Sequence, residues 1–480
     1  MRTLPVRNPR TGEQDYRIAP LDADAVASRA ATLRAGQPRW AALDPSARGA
    51  ALMALAEAIG RRREALLAAL CADTGRRAIS ALEIDGVIGM LNRWARQAPE
   101  TIGRHSPATR PSAMTGITLS TRLRPYPLVG IISPWNFPLT LAMIDAIPAL
   151  AAGCAVLVKP SEVTPRFIAP MMDAIHDVPG LSDVLDVVEG DGATGAAIVS
   201  VVDMIAFTGS VATGRKVGEA AARAFIPASL ELGGKDPMLV LDSADPDWAA
   251  QVALRASVVN TGQACQSIER VYVARSLYPQ FLAALTAAAA ATRLNADAID
   301  RGEIGPFICA KQAAIVQRQI DQAVAAGARI MTGGAVETLG GGLYLRPTVL
   351  VDVTADMEVM REETFGPVIP VMAFDGIDDA VRLANSGKFG LSAAVLAGSA
   401  EEAEAVAARL DAGAVSINDG ALTSMVWDAE KSSFGLSGLG PSRMGEAGLM
   451  RFFRKQALIR QTGGALPLAA YSEEALGQRP

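Results

Sequence analysis

Short apolar runs alternate with helical patterns through most of this chain. Between about residues 22 and 98, alanine, leucine and isoleucine recur at helical spacing, which predicts two or three amphipathic helices. In the stretch from residue 126 to about 241, the apolar runs are Val129–Ile132, Ala155–Val158, Val184–Val188, Met204–Phe207 and Met238–Leu241. Helical segments separate these runs, so we predict a parallel, doubly wound sheet, the architecture that most often holds a nucleotide.

The alternation continues in the second half of the chain. A helix predicted at Trp248–Val259 precedes a strand at Arg270–Val273, and a long alanine-rich helix follows at about Leu277–Thr292. Further units extend to about residue 417. Two α/β domains therefore account for most of the mass, and a terminal strand near Ala457–Arg460 precedes a loose or partner-bound tail.

One apolar stretch could be mistaken for a membrane span. Residues 128–158 carry a single charge, Asp145, but prolines at positions 134, 138 and 148 interrupt them. A β-rich run, a turn, a helical run and a second β-rich run follow one another here, which predicts a buried βαβ unit instead. We expect no membrane interaction.

Charge and composition narrow the possible functions. The 480 residues include 45 basic and 50 acidic side chains, and the net charge of -5 is too weak and too mixed for a nucleic-acid surface. Half of the residues are hydrophobic, as in an ordinary globular protein. The only two histidines, His105 and His176, are too few for a histidine-rich metal centre, and we expect no metal site.

The cysteines indicate the redox environment. They stand far apart, at positions 71, 154, 265 and 309, and form no CxxC pair. This spacing favours free thiols over a zinc or iron–sulfur site. The start of the chain also has no signal-like apolar segment, so we expect a cytoplasmic protein.

Cys265 is the first candidate for chemistry. It lies in a polar, glycine-containing turn at residues 260–267 that leads into the strand predicted at Arg270–Val273. Most intracellular cysteines are inert core residues. A thiol on a loop between two elements can instead face a cleft and act as a nucleophile.

Glu231 is the second candidate. It stands in an apolar run just before the double glycine Gly233-Gly234. Such a residue is either a charged strand end beside a surface turn or a general base facing a dry site.

Two turns after predicted strands add binding groups. The turn at residues 133–138 (SPWNFP) is held rigid by two prolines, and its Asn136 amide could donate to a developing oxyanion. Residues 207–214 (FTGSVATG) follow a strand and open a helix, whose backbone N–H groups could hold a pyrophosphate.

Together these clusters resemble the aldehyde dehydrogenase superfamily over nearly the whole chain. Six motifs occur in the family's order and at its approximate spacing: Pro134–Pro138 (PWNFP), Lys159–Glu162 (KPSE), Phe207–Ser210 (FTGS), Glu231–Lys235 (ELGGK), Gly262–Cys265 (GQAC) and Glu362–Pro367 (EETFGP). Six chance matches in order are implausible, so the resemblance favours Cys265 as a nucleophile.

The resemblance implies an α/β fold with two doubly wound parallel-sheet domains, a Rossmann-type cofactor domain and a catalytic domain, plus a small oligomerisation β element. The implied boundaries are 1–115 and 125–233 for the NAD-binding domain, 234–445 for the catalytic domain, and 116–124 with 446–470 for the oligomerisation element. A homodimer or homotetramer is expected.

The activity implied by the resemblance is oxidation of a small-molecule aldehyde to the carboxylic acid with NAD+. Cys265 would attack the aldehyde carbon, and the Asn136 amide and the Cys265 backbone N–H would hold the oxyanion. Water activated by Glu231 would then hydrolyse the thioester on Cys265.

The resemblance also implies a cofactor site. Its residues would be Ile132, Ser133, Trp135, Lys159, Ser161, Glu162, Phe207, Gly209, Ser210, Gly214, Leu232, Gly233, Glu363 and Phe365. In the family, Lys159 and Glu162 approach the adenosine ribose, where a carboxylate accepts hydrogen bonds from NAD and repels the 2′-phosphate of NADP. We therefore expect NAD, with NADP possible.

The substrate is less well defined by the sequence. The expected pocket positions are Phe137, Leu141, Ala264, Gln266 and Trp427. No arginine is evident among them, which favours uncharged or aromatic aldehydes slightly. The C-terminal segment at residues 433–443 departs from the family pattern and lacks its lysine, so an assignment taken from the family is unsafe here.

Two alternatives stay open. CoA instead of water could resolve the thioester, although relatives that acylate CoA commonly lack the base that Glu231 would provide. The chain could also be a catalytically silent member of the fold. The joint presence of Cys265, Asn136 and Glu231 argues against this second alternative.

Overall fold

The computed structural model describes residues 2–106 and 108–474. The chain begins with two antiparallel strands and four helices: β1 (Leu4–Val6), β2 (Tyr16–Ile18), α1 (Ala23–Ala42), α2 (Pro45–Arg61), α3 (Arg63–Thr74) and α4 (Ala78–His105). The prediction of two or three helices is therefore wrong. The Asp44 carboxylate accepts the backbone N–H of Ser46 and starts a new helix, and Gly75 ends α3 at a left-handed φ of 69°.

The next segment forms the first large sheet. Two strands outside it come first, and five parallel strands with their helices follow: β3 (Arg110–Pro111), β4 (Ile117–Pro125), β5 (Leu128–Ile132), α5 (Pro138–Ala152), β6 (Ala155–Lys159), α6 (Ile168–His176), β7 (Leu185–Val187), α7 (Gly192–Val199), β8 (Met204–Thr208), α8 (Val211–Ala224) and β9 (Ala228–Glu231). The strand order β9-β8-β5-β6-β7 winds outward from β5 in both directions. The carboxyl ends of these strands therefore meet along one edge.

A second large sheet follows in the chain. Its segment contains β10 (Asp236–Val240), α9 (Pro246–Val258), β11 (Ile268–Ala274), α10 (Tyr278–Ala291), α11 (Ala310–Ala325), β12 (Arg329–Thr332), β13 (Val336–Leu339), β14 (Gly342–Leu345), β15 (Thr348–Val351), α12 (Glu358–Arg361), β16 (Val368–Phe374), α13 (Ile377–Ala384), β17 (Phe389–Gly390), β18 (Ser392–Leu396), α14 (Ala400–Ala407) and β19 (Ala414–Ile417). The order is β12-β15-β16-β11-β10-β18-β19, with β12 antiparallel to its neighbour. The predicted α/β class with two parallel-strand sheets is confirmed.

The C-terminal segment returns to earlier parts of the chain. It contains β20 (Phe434–Gly435), β21 (Gly438–Leu439), α15 (Ala447–Met450) and β22 (Phe453–Gln461). Strand β21 pairs with β9 of the first sheet, and β22 pairs with β4 along nine residues, from Phe453 opposite Pro125 to Gln461 opposite Ile117. Strand β21 lies within the predicted 234–445 unit, yet it hydrogen bonds to the first sheet.

The assignment of strands to sheets differs from the prediction at one place. The apolar pattern grouped Met238–Leu241 with the strands of the first sheet, whereas the boundary implied by the resemblance, 234–445, put it in the second unit; β10 lies in the middle of the second sheet. The last parallel strand of the first sheet is β9, which was absent from the predicted apolar runs and was considered only as a charged strand end at Glu231. Every residue of β10 is buried, and the strand pairs with β11 on one side and β18 on the other. A buried apolar strand of this kind fits either sheet, so its pattern alone could not show which sheet it joins.

The apolar stretch at 128–158 folds as β5, α5 and β6. All residues of the two strands are buried, and so is the acidic Asp145 in α5, with 1% of its surface exposed. In the described part of the chain, no helix is long and apolar enough to cross a membrane.

Candidate active site

The loop that carries Cys265 is tightly constrained. A short 3-10 turn at Val259–Gly262 follows α9, and Asn260 and Thr261 both adopt left-handed conformations with φ of 59°. The Asn260 side-chain amide donates to the Gln263 carbonyl at 2.9 Å and holds the turn closed. At Gly262, a Cβ atom would lie 2.4 Å from the backbone of Gly366, so only glycine fits where these two segments cross.

Asn136 binds directly to this loop. Its side-chain amide donates to the Gln263 carbonyl at 3.0 Å, and its own carbonyl accepts from Asn260 at 3.1 Å and from Arg76 at 2.7 Å. The residue is 3% exposed. Since an amide has two N–H donors, one fixes the side chain and the second is free to act on a ligand.

Glu231 lies at the end of β9, where three segments meet. The hydroxyl of Ser433 donates to its Oε2 at 3.2 Å, and its backbone carbonyl accepts from the N–H of Gly209 at 3.1 Å. Gly438 of β21 is its partner in the sheet. The carboxylate is therefore oriented from the C-terminal segment, and within the described residues its Oε1 accepts no hydrogen bond.

Several charged groups surround the Cys265 thiol, and Glu231 is one of them. Burial raises the pKa of the Cys265 thiol to about 12, and the carboxylates of Glu363, Glu231 and Asp236 add to this rise, while Lys431 opposes it. The thiol is therefore the resting form in the chain without ligands. The loop of Cys265 binds Asn136 through the Gln263 carbonyl, and it packs against Gly234, three residues after Glu231, where an added Cβ would lie 2.7 Å from the Cys265 carbonyl oxygen.

The carboxyl edge of the first sheet holds the predicted ribose-binding residues. The ammonium group of Lys159 donates to the carbonyls of Pro160 at 2.9 Å and Gly190 at 3.0 Å, and its burial lowers its pKa. Glu162 lies 3.5 Å from it, with a side chain that is 44% exposed. A fixed ammonium group and an accessible carboxylate thus stand side by side.

The predicted phosphate segment is closely packed. Ser210 caps α8, since its hydroxyl accepts the N–H of Thr213 at 3.3 Å. A Cβ atom at Gly214 would lie 2.5 Å from Leu232, and one at Gly209 would lie 2.7 Å from the ring of Phe207. The glycines therefore allow β8, β9 and the start of α8 to approach one another.

Three more predicted cofactor residues lie near the same edge of the sheet. Among the described residues, the buried hydroxyl of Ser133 has no hydrogen-bond partner. Ile132 lies beside Gly195 at the start of α7, where an added Cβ would be 3.4 Å away, and the Ser161 hydroxyl accepts the N–H of Val163 at 3.2 Å. An unsatisfied hydroxyl at the end of a parallel strand fits a nucleotide bound along this edge.

The turn of Glu363 and Phe365 reaches this edge from the second sheet. Glu363 accepts the N–H of Gly234 at 3.1 Å and packs against Gly233, where a Cβ would lie 2.4 Å from its carboxylate. The ring of Phe365 meets Trp135 edge to face, with centroids 5.4 Å apart. Trp135 and Phe365, both predicted to bind the cofactor, thus meet from facing loops.

Glu269 anchors this turn and was not predicted. Its carboxylate accepts the N–H groups of Thr364 at 2.8 Å and Phe365 at 2.7 Å, and the ammonium group of Lys235 at 2.7 Å. Phe365 has a left-handed φ of 55°, which a non-glycine residue keeps only when its surroundings hold it. A charged residue at the start of an apolar strand was the signal that could have pointed to Glu269.

A buried charge cluster also escaped the sequence analysis. Asp145 binds the guanidinium groups of Arg443, at 2.8 Å, and Arg451. Arg443 donates further to Thr208 at 2.6 Å, and Arg451 donates to Ser229 at 2.8 Å. The lone acid in the apolar helix α5 was the signal, because a buried carboxylate requires a partner.

The predicted substrate positions lie near two arginines. The guanidinium of Arg76 stacks over the ring of Phe137 at 4.9 Å, and that of Arg93 stacks over Trp427 at 5.4 Å. Leu141 packs against the hydrophobic core around the first sheet, and Ala264 and Gln266 flank Cys265 in the chain. No arginine stands among the predicted positions themselves, but the fold brings Arg76 and Arg93 beside two of them from distant parts of the chain.

Known proteins resemble this chain along almost its full length. The model of the "Aldehyde dehydrogenase family" matches residues 1–458. The structure described as "Putative Aldehyde Dehydrogenase PutA" from Anabaena variabilis is 52% identical and superposes with a TM-score of 0.95, covering 97% of this chain and 99% of that one.

Two further relatives carry more specific names. A protein of Mycolicibacterium smegmatis named "Putative succinate-semialdehyde dehydrogenase (NADP+)" is 36% identical over 459 residues, which are 95% of this chain and 88% of that protein. Betaine aldehyde dehydrogenase from Staphylococcus aureus, solved in complex with NAD+, is 29% identical, with a TM-score of 0.90 over 97% of this chain and 93% of that one.

Proposed function

The chain belongs to the aldehyde dehydrogenase family and oxidises an aldehyde with NAD or NADP, and from this premise we propose that the oxidation proceeds through a covalent intermediate on Cys265. One observation carries the proposal. A thiol, a carboxylate and a side-chain amide come from three distant segments, at Cys265, Glu231 and Asn136: Asn136 binds the loop of Cys265, and the segment that follows Glu231 packs against that loop at Gly234.

The first step is attack of the Cys265 sulfur on the aldehyde carbon. The thiol proton leaves to solvent, the sulfur lone pair forms the C–S bond, and the electron pair of the carbonyl moves to its oxygen. The second N–H of the Asn136 amide and the backbone N–H of Cys265 stabilise that oxyanion. The bond from Asn136 to Gln263 supports this role, because it fixes the amide before the substrate arrives.

The cofactor site lies along the carboxyl edge of the first sheet. When bound, the nicotinamide cofactor supplies the hydride acceptor for this oxidation. Ser210 and the start of α8 would hold the phosphates, and Lys159 and Glu162 would hold the adenosine ribose. Glu363 and Phe365 would orient the nicotinamide end, and the bonds of Glu269 to their turn support this assignment.

Glu231 resolves the thioester that remains on Cys265. Its carboxylate takes a proton from water, the water oxygen bonds to the acyl carbon, and the C–S bond breaks to release the carboxylic acid and the thiolate. The Ser433 hydroxyl occupies Oε2 and leaves Oε1 for the water. This arrangement supports hydrolysis over transfer of the acyl group to CoA.

We propose NAD as the preferred cofactor. Glu162 supports this choice, since an exposed carboxylate beside Lys159 suits a ribose hydroxyl and repels a 2′-phosphate. The relative from Mycolicibacterium smegmatis is named for NADP, and the enzyme from Staphylococcus aureus was solved with NAD+.

We also propose a homodimer or homotetramer formed through the 116–124 and 446–470 segments, with 1–115, 125–233 and 234–445 as the remaining units. Strand β22 is nine residues long and carries the exposed side chains of Leu458 and Ile459, which are 47% and 69% exposed. A long edge strand with exposed apolar side chains among its charged ones can pair with another chain. A cytoplasmic location fits the four cysteines, which are all free.

Production of NADH or NADPH with a panel of aliphatic, aromatic, amino- and carboxy-aldehydes tests the activity. Each assay is run with and without CoA, and intact-mass spectrometry follows the acyl adduct. Cys265→Ser should abolish turnover and the adduct, while Cys309→Ser, at a thiol outside the site, should keep both. Full activity of Cys265→Ser would refute the mechanism, and acyl-CoA as the product would establish the CoA-acylating alternative.

A further inference from the structure

Arg76 is a buried arginine at the junction of α3 and α4. It follows Gly75, which ends α3, and 7% of its surface is exposed. Its main chain is fixed on both sides: the Arg76 carbonyl accepts the hydroxyl of Ser80 at 2.7 Å, and the Gly75 carbonyl accepts the side-chain amide of Asn295 at 2.8 Å. A long side chain that starts from so fixed a backbone and lies in a packed interior has little freedom to move. It can therefore hold other groups in place.

The guanidinium group of Arg76 contacts both sides of one peptide bond. Its Nη2 atom donates to the backbone carbonyl of Asn136 at 2.7 Å, and its Cζ atom lies 4.9 Å from the centroid of the Phe137 ring. The same Nη2 atom donates to the Glu83 carboxylate at 3.0 Å, while Nε and Nη1 are buried and bond to no described residue. One nitrogen atom thus joins the Asn136 carbonyl to a buried carboxylate.

Glu83 connects this contact to the start of α5. Its Oε1 accepts from Arg76, and its Oε2 accepts the backbone N–H of Thr140 at 3.1 Å. Both side chains of the Arg76–Glu83 pair are buried, with 8% and 2% exposed. The turn at residues 133–138 is therefore tied to α4 at two places, through the Asn136 carbonyl and through the first turn of α5. Hydrogen bonds with a charged partner are shorter and stronger than those between neutral groups.

The other contacts of Asn136 hold it only to the loop of Cys265. Asn260 donates to the Asn136 carbonyl at 3.1 Å, and the Asn136 side-chain amide donates to the Gln263 carbonyl at 3.0 Å. Asn260 itself is bound to the same Gln263 carbonyl. These neutral contacts belong to one loop, and they can move together with it. Arg76 supplies a charged contact from α4, outside that loop, so it fixes where the Asn136 peptide lies relative to the first sheet.

We propose that Arg76 is a positioning residue, which orients the Asn136 amide toward the oxyanion by holding the Asn136 carbonyl. The inference rests on the proposed function, because it requires Asn136 to stabilise the oxyanion. Arg76 keeps its proton throughout and acts through the Asn136 peptide alone. When the contact is lost, this peptide can rotate, and the free N–H of the amide moves away from the developing charge. Donors to an oxyanion act only over a narrow range of distances.

A double-mutant cycle on kcat tests this coupling between Arg76 and Asn136. The aldehyde that turns over fastest is assayed with the wild-type protein, Arg76→Met, Asn136→Ala and the combined variant. We expect Arg76→Met alone to lower kcat about 100-fold, the effect of a displacement of about 1 Å in the site. In the Asn136→Ala background it should lower kcat about twofold or less, because the amide that it orients is absent. Arg77→Met, at the exposed neighbouring position, is the control and should keep the wild-type kcat.

A structural role of Arg76 gives a different result. Arg76→Met leaves Glu83 without its buried partner, so urea denaturation is measured for Arg76→Met and for Arg76→Met/Glu83→Gln, which removes both charges and keeps an acceptor for Thr140. Recovery of stability with kcat still low supports positioning. Recovery of both stability and kcat would show that Arg76 serves only as the partner of Glu83. If Arg76→Met does not fold, the cycle is run with Arg76→Met/Glu83→Gln against Glu83→Gln.

The outcomes also separate the proposal from its premise. If the loss of Arg76 lowers kcat by the same factor with and without Asn136, or in neither background, Arg76 does not act through Asn136 and the proposal is wrong. In both cases a low kcat for Asn136→Ala leaves the oxyanion role intact. A kcat near the wild-type value for Asn136→Ala would instead overturn that role and the proposal with it, and turnover by Cys265→Ser would overturn the catalytic mechanism itself.

Discussion

Replacing Glu269 with glutamine tests how the cofactor turn is held. The change removes the charge that pairs with Lys235 at 2.7 Å, and both side chains are buried, with 3% and 1% exposed. Removing one partner of a buried ion pair costs about 3–5 kcal/mol. Lys235 keeps its bond to Thr364 Oγ1 at 2.8 Å, and the glutamine oxygen can still accept one backbone N–H. We therefore expect Glu269→Gln to lower the free energy of unfolding by about 3 kcal/mol, the lower end of this range.

Losing the bonds from Glu269 should also weaken cofactor binding, because these bonds hold the turn at Phe365. A left-handed conformation costs a residue with a side chain about 1–2 kcal/mol, and the two bonds from Glu269 hold Phe365 and Thr364 in place. When these bonds weaken, the turn populates other conformations and the apparent affinity for NAD+ falls. A cost of 3 kcal/mol is roughly a 100-fold change in an equilibrium constant, and we expect the Kd for NAD+ to rise at least tenfold.

Urea denaturation and isothermal titration with NAD+ measure the two effects. Glu362→Gln is the matched control, because Glu362 stands on the same turn and pairs with Lys388, yet its side chain is 45% exposed. An exposed pair of this kind contributes at most about 1 kcal/mol. If Glu269→Gln and Glu362→Gln lose equal stability and bind NAD+ equally well, the anchoring role of Glu269 is wrong.

Four further changes test other parts of the site. Asn136→Ala should lower kcat about 100- to 1,000-fold with a much smaller change in KM, and steady-state kinetics showing a kcat near the wild-type value would remove Asn136 from the oxyanion site. Asp145→Asn should cost about 3–5 kcal/mol in urea denaturation, because it leaves Arg443 and Arg451 with a weakened partner. Asp375→Asn breaks an exposed pair with Arg275 and should leave the stability nearly unchanged, and equal losses in the two variants would contradict the buried cluster. Glu162→Gln should raise kcat/KM with NADP+ relative to NAD+, and an unchanged ratio would show that the carboxylate does not select the cofactor. Ile459→Lys should shift the protein to a smaller species in light scattering if β22 forms the interface, and an unchanged mass would exclude that edge.

Local pattern was sufficient for much of the fold. The apolar runs at β5, β6, β7 and β8 agree with the predicted strands to within one residue at each end. The helix count failed in the first hundred residues, because Asp44 and Gly75 divide a continuous helical pattern through a cap and a left-handed turn. Strand β9 was missed because its outer neighbour, β21, lies about two hundred residues away.

In the candidate active site, too, some residues could be predicted from the sequence and others could not. Motif and resemblance singled out Cys265, Asn136 and Glu231, since each belongs to a short segment whose residue types indicate a chemical role. They could not identify Glu269, which no motif includes. It acts through a group from another segment, the turn at Thr364 and Phe365.

The sequence by itself determined the fold class, the family and the three groups proposed to carry the chemistry. These depend on residue types and spacings within a few turns of chain. Only the tertiary structure decided how charges are partnered, as when Ser433 binds Glu231 across 202 positions and Arg443 binds Asp145 across 298. A buried charge must find its partner in space, and strands of two sheets bring together residues that are remote in the chain. Whether a buried ion pair is complete therefore depends on packing that no local pattern contains.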